Sequence, residues 1–395
     1  MSRVVEIARE ILRIPSPTRS EGPIAEYLVS FLSGLGFALE IDPDHNIVAR
    51  LGAPSGRPAV ILCGHHDHVA VGDQGNWTVD PFAAEIRDGQ LWGRGATDAK
   101  GPLTCILAAA EALAHEGIPA GAQLLVVSVR EETNDLAQRG IVRVLKRGVR
   151  GEVALVAEAT GLDLCLGHRG RVDYAIETRG RTAHGSMPDR GVNAVLHMIE
   201  VVRELTAMPL PDRPPLGPGS QNIGVFRGGI QPNIVPDACR IEVDRRITVG
   251  ETPASVRAEV EAALARVRQR VPALQAGCEV LVGFEPSFIS PEEPLVSLAA
   301  GIVGEVSGRV PSTIYMQAHT DQEWLVNMAK VPTLILAPGD MAQAHCPDER
   351  ISVAAMEVGA RIYTRLARAL LGGSAPRRGG PTAAGRAGES HGPSL

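Results

Sequence analysis

The sequence predicts a mainly parallel α/β sheet interrupted by an inserted ferredoxin-like α+β unit, and three observations support this. Short, wholly apolar runs alternate with helical patterns through residue 157, as expected for strands buried on both faces and covered by helices. From about 171 the order becomes strand, helix, two strands, helix, strand, which is the split β-α-β-β-α-β arrangement. After about 288 the first rhythm returns, so the second unit is inserted into the first. At 395 residues the chain exceeds one ordinary core. The expected division is 1–170 with 285–372 as one domain and 171–284 as the insert. The tail 373–395, rich in Gly, Pro, Ser and Arg, is expected to be disordered.

Apolar spacing predicts helices at 3–14 and 23–35, then strands at 46–51 and 59–64. Gly101 to Glu116 is an alanine-rich apolar helix, followed by a strand at 123–129, a helix at 141–147 and a strand at 153–157. In the insert, strands are expected at 171–179, 221–228, 237–247 and 277–284, with helices at 191–207 and 252–270. The Pro-rich stretch 209–218 reads as a loop. A helix at 294–307, a strand at 333–337 and a helix at 352–371 complete the pattern.

A formal charge of −6 argues against nucleic acid and offers no basic tract for anionic membranes. The N-terminus is an amphipathic, charged helix pattern without the apolar run of a signal peptide, and no segment is long enough to span a bilayer. Six scattered cysteines without CxxC spacing read as reduced thiols. A cytoplasmic protein is expected.

Polar clusters punctuate the strand ends. Glu131 and Glu132 follow the apolar run Leu124–Val129. Adjacent anions at a buried strand end repel and lose hydration. A solvated strand-to-loop junction avoids that cost, and a bound cation offsets it while leaving one carboxylate for proton transfer. The run Val60–Cys63 leads to Gly64-His65-His66-Asp67-His68, where alternation puts His65 and Asp67 on one side. The segment Gly93-Arg94-Gly95-Ala96-Thr97-Asp98-Ala99-Lys100-Gly101 is a tight loop before a helix. Asp98 there either caps the helix or bridges two metals. Lys100 reads equally as a surface residue. Glu158 ends another apolar strand, and His345-Cys346-Pro347-Asp348-Glu349 precedes the last helix. Open α/β sheets gather ligands at the carboxyl ends of their strands, where His65, Glu132 and Glu158 fall.

In this order, the five motifs resemble those of the M20 family of metal-dependent amidohydrolases and peptidases. Its members include acetylornithine deacetylase, succinyl-diaminopimelate desuccinylase, aminoacylase-1 and enzymes of the carboxypeptidase G2 type. The resemblance implies a dizinc catalytic domain with an inserted lid and dimerisation domain. It implies two zinc ions, with cobalt or manganese as substitutes. His65 and Glu158 would hold one, Glu132 and His345 the other, and Asp98 would bridge them. Asp67 would orient His65. Glu131 would act as general base and acid. Thr182-Ala183-His184-Gly185-Ser186 with Gly191-Val192-Asn193 resembles the lid motif, which gives His184 the oxyanion role, often across a dimer interface. Pro232-Asn233-Ile234-Val235-Pro236 and Asp244-Arg245-Arg246 resemble the segment that grips the substrate carboxylate, with Arg246 as the fork and Asn233 assisting. Arg245 alternates to the other face and reads as solvated.

There are departures. His68 replaces an apolar residue, Glu158-Ala159-Thr160 replaces Glu-Pro-Thr, and Glu131 is followed by Glu-Thr. Cys346 reads as a bystander, and His319 with Asp321 as pocket-lining residues. The implied reaction is hydrolysis of the amide of an N-acyl amino acid by a homodimer. A dipeptidase or carboxypeptidase would use the same site, since its substrates also place an amide beside a free carboxylate. A non-catalytic metabolite-binding homologue is the reading from another class, and the presence of Glu131 counts against it.

Overall fold

The computed structural model describes residues 1–53, 59–130 and 140–373. Four parallel strands form the centre of the main sheet, in the order Gln123–Val129, Ala59–His65, Val153–Val156 and Thr333–Ile335. Their register aligns the carboxyl ends, with His65 opposite Val129 and Cys63 opposite Val156. Antiparallel strands extend both flanks: Ala38–Ile41 and Ile47–Leu51 on one side, Leu164–His168 and Ser287–Phe288 on the other.

Alternation explains why the central strands are apolar throughout. Val60, Leu62, Leu124, Val126, Leu155 and Leu334 pack under a layer that contains the helices Arg3–Leu12, Gly22–Gly34, Lys100–Glu116, Pro294–Ser307 and Val353–Leu371. Ile61, Cys63, Leu125, Val127, Val156 and Ile335 face a thinner layer built on the helix Ile141–Lys146. Both faces are therefore buried, as parallel sheets require. No described helix is long and apolar enough to cross a membrane.

The inserted segment forms its own antiparallel sheet, in the order Ser220–Gly228, Ala238–Ile247, Gly170–Arg179, Gln275–Phe284. Helices Ala194–Ala207 and Pro253–Arg270 cover one face through Val172, Tyr174, Ile176, Ile241, Val243, Val256 and Val260. The first of these helices starts at 194, not 191, because Val192 still pairs with Arg181 and the Asn193 side chain accepts from the Val195 and Leu196 amides. The Pro-rich loop holds a two-residue hairpin, Asp212–Arg213 with Gly217–Pro218. Arg245 departs from expectation: it is buried under the helices, 2.6 Å from Glu251 and 2.7 Å from Glu259. Alternation does turn it away from Arg246, but that other face is the core side.

Candidate metal centre

His65 is the last residue of its strand, and the chain beyond it folds back so that Asp67 meets the same ring. His65 Nδ1 lies 3.2 Å from Asp67 Oδ1, and Thr18 Oγ1 donates to Asp67 Oδ2 at 2.7 Å. His65 Nε2 points the other way, 3.0 Å from Asp98 Oδ1 and 3.2 Å from Glu158 Oε1. The second Asp98 oxygen, Oδ2, is 3.0 Å from His345 Nε2. One carboxylate therefore stands between two imidazoles, with one oxygen for each. Asp98 does not cap the following helix: Ala99 holds the N-cap position and no side chain bonds there.

The carboxylates of this cluster favour positive charge at their centre. Burial alone would lower the His65 pKa, but Glu158, Asp67 and Asp98 outweigh it and hold the ring well above its ordinary value. Burial raises the Glu158 pKa, and Asp98 and Asp67 push the same way against His65. Asp98 is held below the usual carboxylate range: burial opposes ionisation, but hydrogen bonds from His345 and His65 prevail. His65, Asp98 and Glu158 bring ligand atoms within 4.8 Å of one another. A cavity of ≈ 20 Å³ opens among Thr18, His65, Asp67, His68, Val69, Asp98 and His345. That is room for about one ion or water. Nitrogen and carboxylate donors around a site of this size fit zinc.

The loop that presents Asp98 is organised by a residue to which the sequence reading gave no task. Glu349 is fully buried, 2.6 Å from Arg94 Nη1, and accepts backbone N–H bonds from Gly95 (3.1 Å), Thr97 (2.8 Å) and Asp98 (3.0 Å). The strand Arg350–Ser352 then pairs with Gln90–Trp92 and ties the two ends of the chain together. Lys100 is also buried, not on the surface, and its Nζ donates to the carbonyls of Ile14 (2.7 Å) and Ile11 (3.3 Å). Burial brings its pKa down to about 7, against the pull of Asp67 and Glu349. One signal was available: a lysine in the first turn of a helix opposes the helix dipole unless other acceptors hold it.

The remaining predicted residues divide into groups. Glu131 and Glu132 lie outside the described residues. His68 is buried; its Nε2 accepts from the Ser16 amide at 2.9 Å and its Nδ1 donates to Val69 O at 2.7 Å. Cys346 is exposed, with Sγ 3.8 Å from Ala342 O. His184 and Asn233 come together on the insert, where Gly185 N donates to Asn233 O at 2.8 Å and His184 pairs with Ile234. His184 is exposed, and its side-chain bonds go to Ser186, not to the histidine–carboxylate cluster. Arg246 lies on the polar face of the inserted sheet, held by Asp244. His319 is buried at the base of the insert, with Nε2 2.7 Å from Glu323. Asp321 is also buried.

Comparison with known proteins bears on this arrangement. Residues 61–369 match the model of peptidase family M20/M25/M40. The chain belongs to the M20 family. Relatives of this M20 protein include acetylornithine deacetylase from Proteus mirabilis, 29% identical over 89% of this chain and 93% of the relative. The succinyl-diaminopimelate desuccinylase of Cereibacter sphaeroides is 30% identical over 92% of this chain and 97% of its own. Among solved structures, an M20 family metallo-carboxypeptidase from Sulfolobus solfataricus superposes with a TM-score of 0.78, covering 94% of this chain and 100% of that one at 15% identity. These matches make the chain a hydrolase of an amide-cleaving, metal-dependent family, with the α/β fold described above.

Proposed function

We propose that this protein hydrolyses the amide bond of N-acyl amino acids, in the manner of a deacetylase or desuccinylase. The observation that carries the reading is Asp98 standing between His65 and His345, with Glu158 closing on His65. Support for acyl removal comes from the relatives matched by sequence at 29–30% identity, a deacetylase and a desuccinylase; the peptidase structures, at 15–21%, share the fold.

In this reading His65 and Glu158 would hold one zinc ion, Glu132 and His345 would hold a second, and Asp98 would serve both. Bound there, the metal supplies a Lewis acid for the amide carbonyl and lowers the pKa of water. His65 Nδ1, beside the Asp67 carboxylate, donates to the Asp67 carbonyl at 3.2 Å, which keeps Nε2 as the ligand atom. Glu131 takes the proton of the attacking water and returns it to the leaving amine nitrogen. Arg246 and Asn233 grip the substrate carboxylate. His184 donates to the oxyanion from Nε2, a tautomer supported by the Ser186 amide, which donates to Nδ1 at 3.1 Å.

His184 must travel to the cluster or be lent by a second copy, so residues 171–284 act as a lid and dimerisation domain. Support comes from the edge strand Ser220–Gly228 and from exposed apolar side chains on the same segment: Leu196, Ile199, Phe226 and Ile230. Sedimentation should give a dimer, and a fully active monomer would contradict the lid's dimer role. Turnover of N-acetyl amino acids against simple dipeptides by the zinc-loaded protein tests the reaction. Efficient cleavage of dipeptides with none of the acylated amino acids would overturn it in favour of a dipeptidase.

A further inference from the structure

The first helix, Arg3–Leu12, leads into a short strap, residues 14–18, that lies along the loop beyond His65. Strap and loop pair in parallel through Pro17 and His68. His68 N donates to Ser16 O at 3.0 Å, and Thr18 N donates to His68 O at 3.1 Å. Two further bonds reinforce the pairing: Ser16 Oγ donates to the His66 carbonyl at 2.7 Å, and Ser16 N donates to His68 Nε2 at 2.9 Å. The second of these gives His68 a task. Ser16 is fully buried, and an apolar residue in place of His68 would leave its amide without an acceptor. Lys100 Nζ holds the start of the strap by donating to the Ile14 carbonyl at 2.7 Å.

This anchoring places one hydroxyl. Thr18 Oγ1 donates to Asp67 Oδ2 at 2.7 Å, and Thr18 lines the small cavity together with His65, Asp98 and His345. Asp67 is buried, and its other oxygen, Oδ1, lies 3.2 Å from His65 Nδ1 without a well-aligned hydrogen bond. The Nδ1 proton is directed to the Asp67 carbonyl instead. Among the described residues, Thr18 is therefore the one side chain that donates a well-formed hydrogen bond to this carboxylate. With that bond the carboxylate is fixed and Oδ1 stays against the imidazole. Without it a buried anion has no donor, and rotation of Asp67 toward solvation would take from His65 the group that orients it.

We propose that Thr18 is a positioning residue of the metal centre: its hydroxyl fixes Asp67, Asp67 fixes His65, and the strap held by His68 and Lys100 sets the hydroxyl in place. This rests on the metal-centre reading above. The test is competitive zinc titration of the metal-stripped full chain, with thermal unfolding of the metal-free protein alongside. Thr18→Val keeps the shape, removes the donor and should weaken zinc binding about tenfold, the lower end of what ligand-orienting residues contribute. Thr18→Ala, which leaves no methyl against the carboxylate, should weaken it by the same factor, and Thr18→Ser should bind nearly as wild type does. A double-mutant cycle separates positioning from structure. In an Asp67→Ala background Thr18→Val should have no further effect on zinc affinity, because the hydroxyl has lost the group it acts through. An equal loss in both backgrounds overturns the proposal, as does a lower unfolding temperature of the metal-free protein with unchanged zinc affinity. Equal weakening by serine and valine also overturns it. Each of these leaves the metal-centre reading intact, whereas a wild type that binds no zinc overturns both.

Discussion

Four donors converge on Glu349, three backbone amides and the Arg94 guanidinium, and all of them belong to the loop that presents Asp98. Glu349→Gln replaces an anion with an amide that cannot accept equally at both ends, so Asp98 loses its fixed position. Zinc affinity should fall roughly 10- to 100-fold, as for other residues that orient ligands. Titration of metal-stripped protein with zinc reads this directly, and unchanged affinity would remove Glu349 from the site's support. Buried histidines set a second expectation at this scale. Burial holds His168 and His319 at about 3, and burial raises Glu323, their neighbour, to about 7. Between about 6.5 and 4.5 the unfolded chain gains a proton on each histidine, while the folded chain holds one on Glu323. Unfolding thus takes up about one net proton from this cluster, and stability falls as pH drops. The histidine contribution is full above about 6.5 and is lost toward 3; the Glu323 contribution has the opposite sign, full below about 4.5 and lost as pH rises through about 7. Urea unfolding of wild type and His319→Gln over this window should show a shallower slope in the variant, and parallel slopes would refute the assignment. Among these residues His65, Asp98, Glu158 and His345, which the structure brings together, were legible in the motifs, but Glu349, Lys100 and Arg245 were not. Their roles depend on partners such as the Ile11 carbonyl, Arg94 and Glu259, which no local pattern connects to them.

At the scale of elements, long periodic segments could be read from sequence and short pairings could not. The helix Pro294–Ser307 and the strand Gln123–Val129 fall where the apolar pattern puts them, because seven or more residues repeat one burial choice. The three-residue strands Glu85–Arg87, Gln90–Trp92 and Arg350–Ser352 carry no such repeat; the first two pair across the Asp88-Gly89 turn, but Arg350–Ser352 joins them from the far end of the chain. Yet they hold the Asp98 loop in place. Gly101 ties that loop to its helix: a Cβ there would stand 2.0 Å from the Ala96 carbonyl oxygen. Gly101→Ala must push the loop off the helix, at a cost of about 1–3 kcal/mol by the usual measure of overpacking. Thermal unfolding should show that loss together with weaker zinc binding. A variant equal to wild type in both would mean that the loop yields freely and does not position Asp98.

The whole molecule combines a parallel sheet, whose carboxyl edge carries the histidine–carboxylate cluster, with an insert whose polar face carries Arg246. Its outline was legible because the strand–helix rhythm breaks near 171 and resumes after 288. The stacking of Phe284 on His319, which joins the insert to a loop of the main unit, left no trace in periodicity. If the cluster is a metal centre, saturating zinc should stabilise the native fold by about 2.7 kcal/mol at a hundredfold excess over Kd. Metal dependence is read from amide hydrolysis of an N-acyl amino acid by protein stripped with chelator, then reloaded, with metal content measured in parallel. If the cluster holds the catalytic metal, activity vanishes with the metal, returns with zinc, and does not return in Asp98→Ala. Full turnover by protein shown to contain no metal would contradict it.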